Sequence, residues 1–144
     1  MASILKVDAM QGVTSAGDIT ITSEGGAATQ SLQQGLAKAW MKYDQYVSGT
    51  EIDDSFNVAS TTDNSAGNFY QNHTNNMGNA NYATLGITGH SNVSVHNQVN
   101  SEGTVSSPLI ADTTSKAAYI SRVCSNGTAI DMSTNTLVVI GDLA

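Results

Sequence analysis

From Asp53 to the end of the chain, short runs of strand-forming residues alternate with clusters of Gly, Asn and Ser. The spacing predicts strands near residues 55–60, 68–73, 82–88, 92–99, 117–125, 129–132 and 136–140. Many short strands at such intervals indicate an antiparallel β-sandwich, jelly-roll-like, rather than a sheet built from βαβ units. Asn126-Gly127 is the strongest hairpin signal, since both residues tolerate positive φ in a type I′ turn. Val93, Val95 and Val99 alternate as in a half-buried strand. Residues 100–115, with the only proline, Pro108, read as an exposed loop.

Upstream, residues 3–8 read as a short strand, and Ile19 and Ile21 share one face of a second. Gly25-Gly26 breaks this pattern and does not continue into a phosphate-binding loop, because the lysine and full spacing are missing. Residues 29–43 then predict the chain's one short helix. Thr29 or Ser31 would cap it, with Ser31 and Gln34 at capping-box spacing. Leu32, Leu36, Ala39 and Tyr43 fall at helical intervals, and Trp40 widens the stripe. Lys38 and Lys42 suit its C-terminal end. These five apolar residues are the candidate oligomer interface. The predicted organisation is therefore an N-terminal arm plus helix over residues 1–50, for attachment or oligomerisation, and a β-sandwich over residues 51–144.

A chain of 144 residues is long enough to enclose a core. Charged residues make up 12%, with 5 Lys plus Arg against 12 Asp plus Glu. The few cations are scattered, which argues against phosphate neutralisation and so against nucleic-acid binding. Ser, Thr and Asn supply roughly a third of the chain, so solubility rests on neutral hydrogen-bonding groups, as in β-rich fibrous or capsid proteins. The opening MASILKVDAM lacks a basic region followed by a long apolar stretch, so no signal peptide is expected. Residues 137–140, the longest strongly apolar run, are too few for membrane insertion.

Several constellations contain residue types that carry chemistry elsewhere. His73, His90 and His96 lack the spacing that would join two of them on one metal, and Cys124 is alone. Asp63 and Ser65 superficially suggest a calcium loop but lack its further carboxylates. Asp53 and Asp54 are adjacent, and neighbours on a strand point to opposite faces, which is wrong for a glycosidase pair. No Gly-x-Ser-x-Gly elbow is present. The sequence thus predicts no enzyme, no catalytic residue, no metal site and no cofactor.

Ser55-Phe56-Asn57-Val58, Thr62-Asp63-Asn64, Phe69-Tyr70 and Asn79-Ala80-Asn81-Tyr82 follow one another in a fixed order. With Leu32 to Trp40 upstream and Gly141-Asp142-Leu143-Ala144 downstream, this order resembles a β-domain recurring in small virion proteins of marine tailed bacteriophages. The family's Gly-Thr-Gly-Asp turn stands here as Ser65-Ala66-Gly67-Asn68, one glycine being replaced by serine. The resemblance implies a virion location, a tail-fibre-like, head-fibre-like or knob-like appendage, a homotrimer and partners among other virion proteins. Contact with a host surface glycan or protein is expected with it, and the polar, Asn- and Tyr-rich loops 75–81 and 100–115 are the candidate contact surfaces. A capsid decoration or cement protein is the alternative, and a polysaccharide depolymerase a more distant one.

Overall fold

The computed structural model describes residues 6–13, 19–22, 25–26, 28–46, 51–89, 95–99, 112–123 and 127–144. They form two units, Met1–Leu36 and Ala37–Ala144. In the first, β1 (Thr20–Thr22) pairs antiparallel with β2 (Thr29–Ser31). The Leu32 amide donates to the Ile19 carbonyl at 2.7 Å, and Gly26 at φ 69° serves the reversal between the strands. Of the N-terminal strand expected over residues 3–8, only 6–8 lie among the described residues, and they are not strand.

The second unit holds β3 (Ala37–Asp44), β4 (Glu51–Phe56), β5 (Val58–Ser65), β6 (Asn68–His73), β7 (Ala83–Gly89), β8 (Val95–Val99), β9 (Lys116–Val123) and β10 (Thr134–Ile140). They make two four-stranded antiparallel sheets, in the orders β4-β3-β10-β7 and β5-β6-β9-β8. The mainly β, antiparallel architecture expected from the sequence is what the structure shows. Ala39, Met41 and Tyr43 of β3 and Leu137 and Val139 of β10 share one buried cluster with Phe69 of β6 and Ala117 and Tyr119 of β9. Tyr43 and Phe69 bridge the sheets with ring centroids 4.9 Å apart, and Phe69 stacks on Tyr119 at 5.7 Å. Burial of aromatic surface of this size supplies much of a small domain's stability.

The predicted helix is absent: its residues form β2, a turn and β3. Ser31 does begin one helical turn, accepting from the Gly35 amide at 3.2 Å, but the chain is extended from Ala37 on. A four-residue interval places Ala39 and Tyr43 on one face of a helix and equally on one face of a strand. The deciding interaction is tertiary, since β3 lies hydrogen-bonded between β4 and β10. For the same reason the expected division at residue 50/51 cuts a central strand from its sheet, and the compact unit begins at Ala37.

The strand expected at 55–60 is broken at Asn57, whose φ of 56° is left-handed. The chain turns there from one sheet into the other. Asn57 stabilises this corner with its own amide, which donates to the Lys38 carbonyl at 2.9 Å and accepts from the Asn75 amide at 2.7 Å. Among the described residues, 129–132, expected as a strand, contribute an isolated bridge between Ala129 and Arg122.

Opposite corners close with similar economy. Tyr82 donates to the carbonyls of Thr113 and Lys116 at 3.0 and 2.6 Å, holding the turn that enters β9. A Cβ on Gly141 would stand 2.6 Å from that of Tyr82, so only glycine allows the approach. Leu143 bridges to Met77, and the Gly78 amide donates to Asp142 O at 2.7 Å.

Candidate interaction surface

Side chains on β3 alternate, so Ala39, Met41 and Tyr43 point into the core while Trp40 and Lys42 point out. The ladder register aligns Trp40 with Phe56 on β4 and with Val138 on β10, and Val138 with Leu85 on β7. Phe56, Trp40, Val138 and Leu85 thus form one row across the outer face of all four strands. Phe56 is 53% exposed and Leu85 54%, and Ile87, in the next row, is 76% exposed. On the other sheet the outward-facing Tyr70, Ala118 and Ile120 are buried. Among the described residues, the apolar sheet face left exposed is therefore the β4-β3-β10-β7 one.

Beside the apolar row lies a polar one, in which Asp54 faces Lys42 and Lys42 faces Thr136. Irregular register between Lys42 and Tyr43 brings Asp53 to the Lys42 ammonium at 2.6 Å. That hydrogen bond and charge raise the lysine's pKa, yet both groups are exposed and such pairs add little stability. Asp54 accepts instead from the Ser55 amide at 2.8 Å, so the adjacent carboxylates serve separate partners. All the acidic residues of this sheet are on β3 and β4, since β7 and β10 contain no charged residue.

The five residues expected as an oligomer interface are dispersed by the strand. Ala39 and Tyr43 are core, Trp40 is half-buried on the outer face, and Leu32 and Leu36 belong to the turn of the first unit. Phe56 is exposed, whereas Tyr82 is buried. His73 is buried at the end of β6 against Tyr82, with ring centroids 5.8 Å apart. His90 and Cys124 lie outside the described residues, as does the side chain of His96. Asp63 accepts from the Gln45 side chain at 3.1 Å. Among the described residues no group of three or more His, Cys, Asp and Glu is placed to hold a metal ion. Asn75 and Asn81 are tied down, the first to Asn57 and the second to Asn79 Oδ1 at 2.7 Å, so loop 75–81 is exposed but braced.

Sequence reasoning missed Phe56, Leu85, Ile87 and Val138 as surface. Alternation announces two faces of a strand without saying which is inward. In the structure the inward positions of β7 are Thr84, Gly86 and Thr88, and Thr88 donates to the buried Asn135 at 2.9 Å. Comparison with protein-family models, curated proteins and solved structures finds no match to this chain.

Proposed function

We propose that this chain is a non-catalytic structural component of a bacteriophage virion, a β-sandwich module displayed as a fibre-like or knob-like surface appendage that contributes to host attachment. One observation carries the reading: three of the residues that bear the resemblance set the fold's corners. Asn57 makes the left-handed passage between the sheets, Tyr82 clamps the turn before β9, and Gly141 admits Tyr82. A motif spent on corners leaves the exposed loops free to vary, which suits a display module. Several copies on one particle would let weak contacts to a host glycan or protein add up through avidity. The test is electron microscopy of intact particles labelled with an antibody to this chain. A few copies at the tail or a vertex support the appendage; absence from purified particles overturns the reading.

The uncovered apolar face favours a second reading, a decoration or cement protein that bridges capsomers. Hundreds of labels spread over the shell would decide for it.

A further inference from the structure

We propose that the outer face of the β4-β3-β10-β7 sheet docks a second copy of this chain, face to face, about a twofold axis that runs parallel to the strands. The first argument is size. Four strands about 4.8 Å apart and six to eight residues long present a face of roughly 400 Å² in projection. The relief of its side chains brings the accessible area towards the ~800 Å² that each partner contributes to a stable interface. Its centre is apolar and its charges lie to one side, the anatomy of an interface core and rim.

The second argument is charge, and it selects the axis. Asp44, Glu51, Asp53 and Asp54 outnumber Lys38 and Lys42 on the β3–β4 half of the sheet, while the β10–β7 half carries no charge. An axis crossing the strands at right angles would lay one acidic half over the other, which the net charge of -7 makes costly. An axis parallel to the strands lays each acidic half over the partner's neutral half. A twofold contact uses the same patch on both copies, so complementarity must be internal to the patch. Here it is: the row Phe56, Trp40, Val138, Leu85 runs from aromatic to aliphatic. The parallel axis therefore puts Phe56 over the partner's Leu85 and Trp40 over the partner's Val138, within the moderate tilt usual for aligned sheets. The inference is independent of where the protein resides and stands even if the virion reading fails.

Sedimentation of the full chain, with quenching of its one tryptophan, tests this directly. The expected species has twice the 14.9 kDa mass, with Trp40 shielded from acrylamide. Leu85→Lys and Phe56→Glu, both at exposed positions, should each weaken association by about tenfold or more, expose Trp40 and leave the circular dichroism spectrum unchanged. Mixing the two variants should restore the dimer, because the parallel axis sets the introduced lysine opposite the introduced glutamate and leaves the other Phe56–Leu85 contact intact. Four outcomes overturn the proposal. They are a monomer at millimolar concentration, a trimer, a dimer indifferent to both substitutions, and variants whose mixture stays monomeric. A monomer in which Trp40 is nonetheless shielded would assign the cover to the chain's own residues.

Discussion

Gly67 is the most closely enclosed of the described glycines. Its φ is 70°, and a Cβ there would collide with the Ser121 carbonyl and come within 2.8 Å of the Ile130 amide nitrogen. Its own amide donates to Asp131 Oδ1 at 2.7 Å, and its carbonyl accepts from the Ser121 amide. The left-handed backbone alone costs an L-residue about 1–3 kcal/mol. Gly67→Ala should therefore lower the melting temperature by roughly 5 °C or more, measured by circular dichroism. His73 makes a different prediction. It is 6% exposed, and burial lowers its pKa below the usual 6.5, opposed by the Thr114 carbonyl and by Asp112. The unfolded chain then binds the proton first as pH falls. Stability owed to neutral His73 is complete above about 6.5, declines below it, and levels off once the pH passes the folded-state pKa. Denaturant unfolding between about pH 7.5 and about pH 5 should show a smaller loss for His73→Gln than for the wild type. The need for glycine at the 65–68 turn was legible in the sequence, although Ser65 turns out to belong to β5 and only Gly67 needs positive φ. The burial of His73 was not, because it depends on Tyr82 and the Thr113–Lys116 turn arriving from elsewhere in the chain.

Among the elements, β3 is the most consequential and was the least legible. Ala, Lys and Met favour helices, and the intervals from Leu32 to Tyr43 satisfy a helical stripe; only the partners β4 and β10 decide for strand. Strands β6, β7 and β10 were visible to within two residues because each is a compact run of aromatic or β-branched residues between turn signals. The outer apolar row stayed hidden, as inside and outside are set by the second sheet rather than by local pattern. A chain starting at Ala37 should fold with the full cooperativity of the second unit. One starting at Glu51 loses the strand that carries Ala39, Met41 and Tyr43 and should show no sharp thermal transition. A cooperative melt of the shorter chain would show that β3 is dispensable.

For the molecule as a whole, one buried side chain ties strands of both sheets. Asn135 Oδ1 accepts from Thr88 at 2.9 Å and from Ser121 at 3.1 Å, and its Nδ2 donates to the Tyr43 and Met132 carbonyls at 3.2 Å each. All four capacities of the amide are used in the interior. Asn135→Ala should cost about 3 kcal/mol or more in denaturant unfolding, because it strands several buried polar groups at about 1–3 kcal/mol each. A loss under about 1 kcal/mol would mean that those groups find other partners. The same amide bears on how the chain avoids wrong structures. A two-residue slip of β10 keeps every apolar side chain on its proper face, so hydrophobicity alone would barely oppose it. It would, however, bring Leu137 or Ser133 to the place of Asn135 and leave the waiting hydroxyls and carbonyls unanswered. Asn135 thus acts as a proofreading key during assembly of the sheets, and its loss should appear as native-state heterogeneity, with doubled amide resonances along β3, β7 and β10.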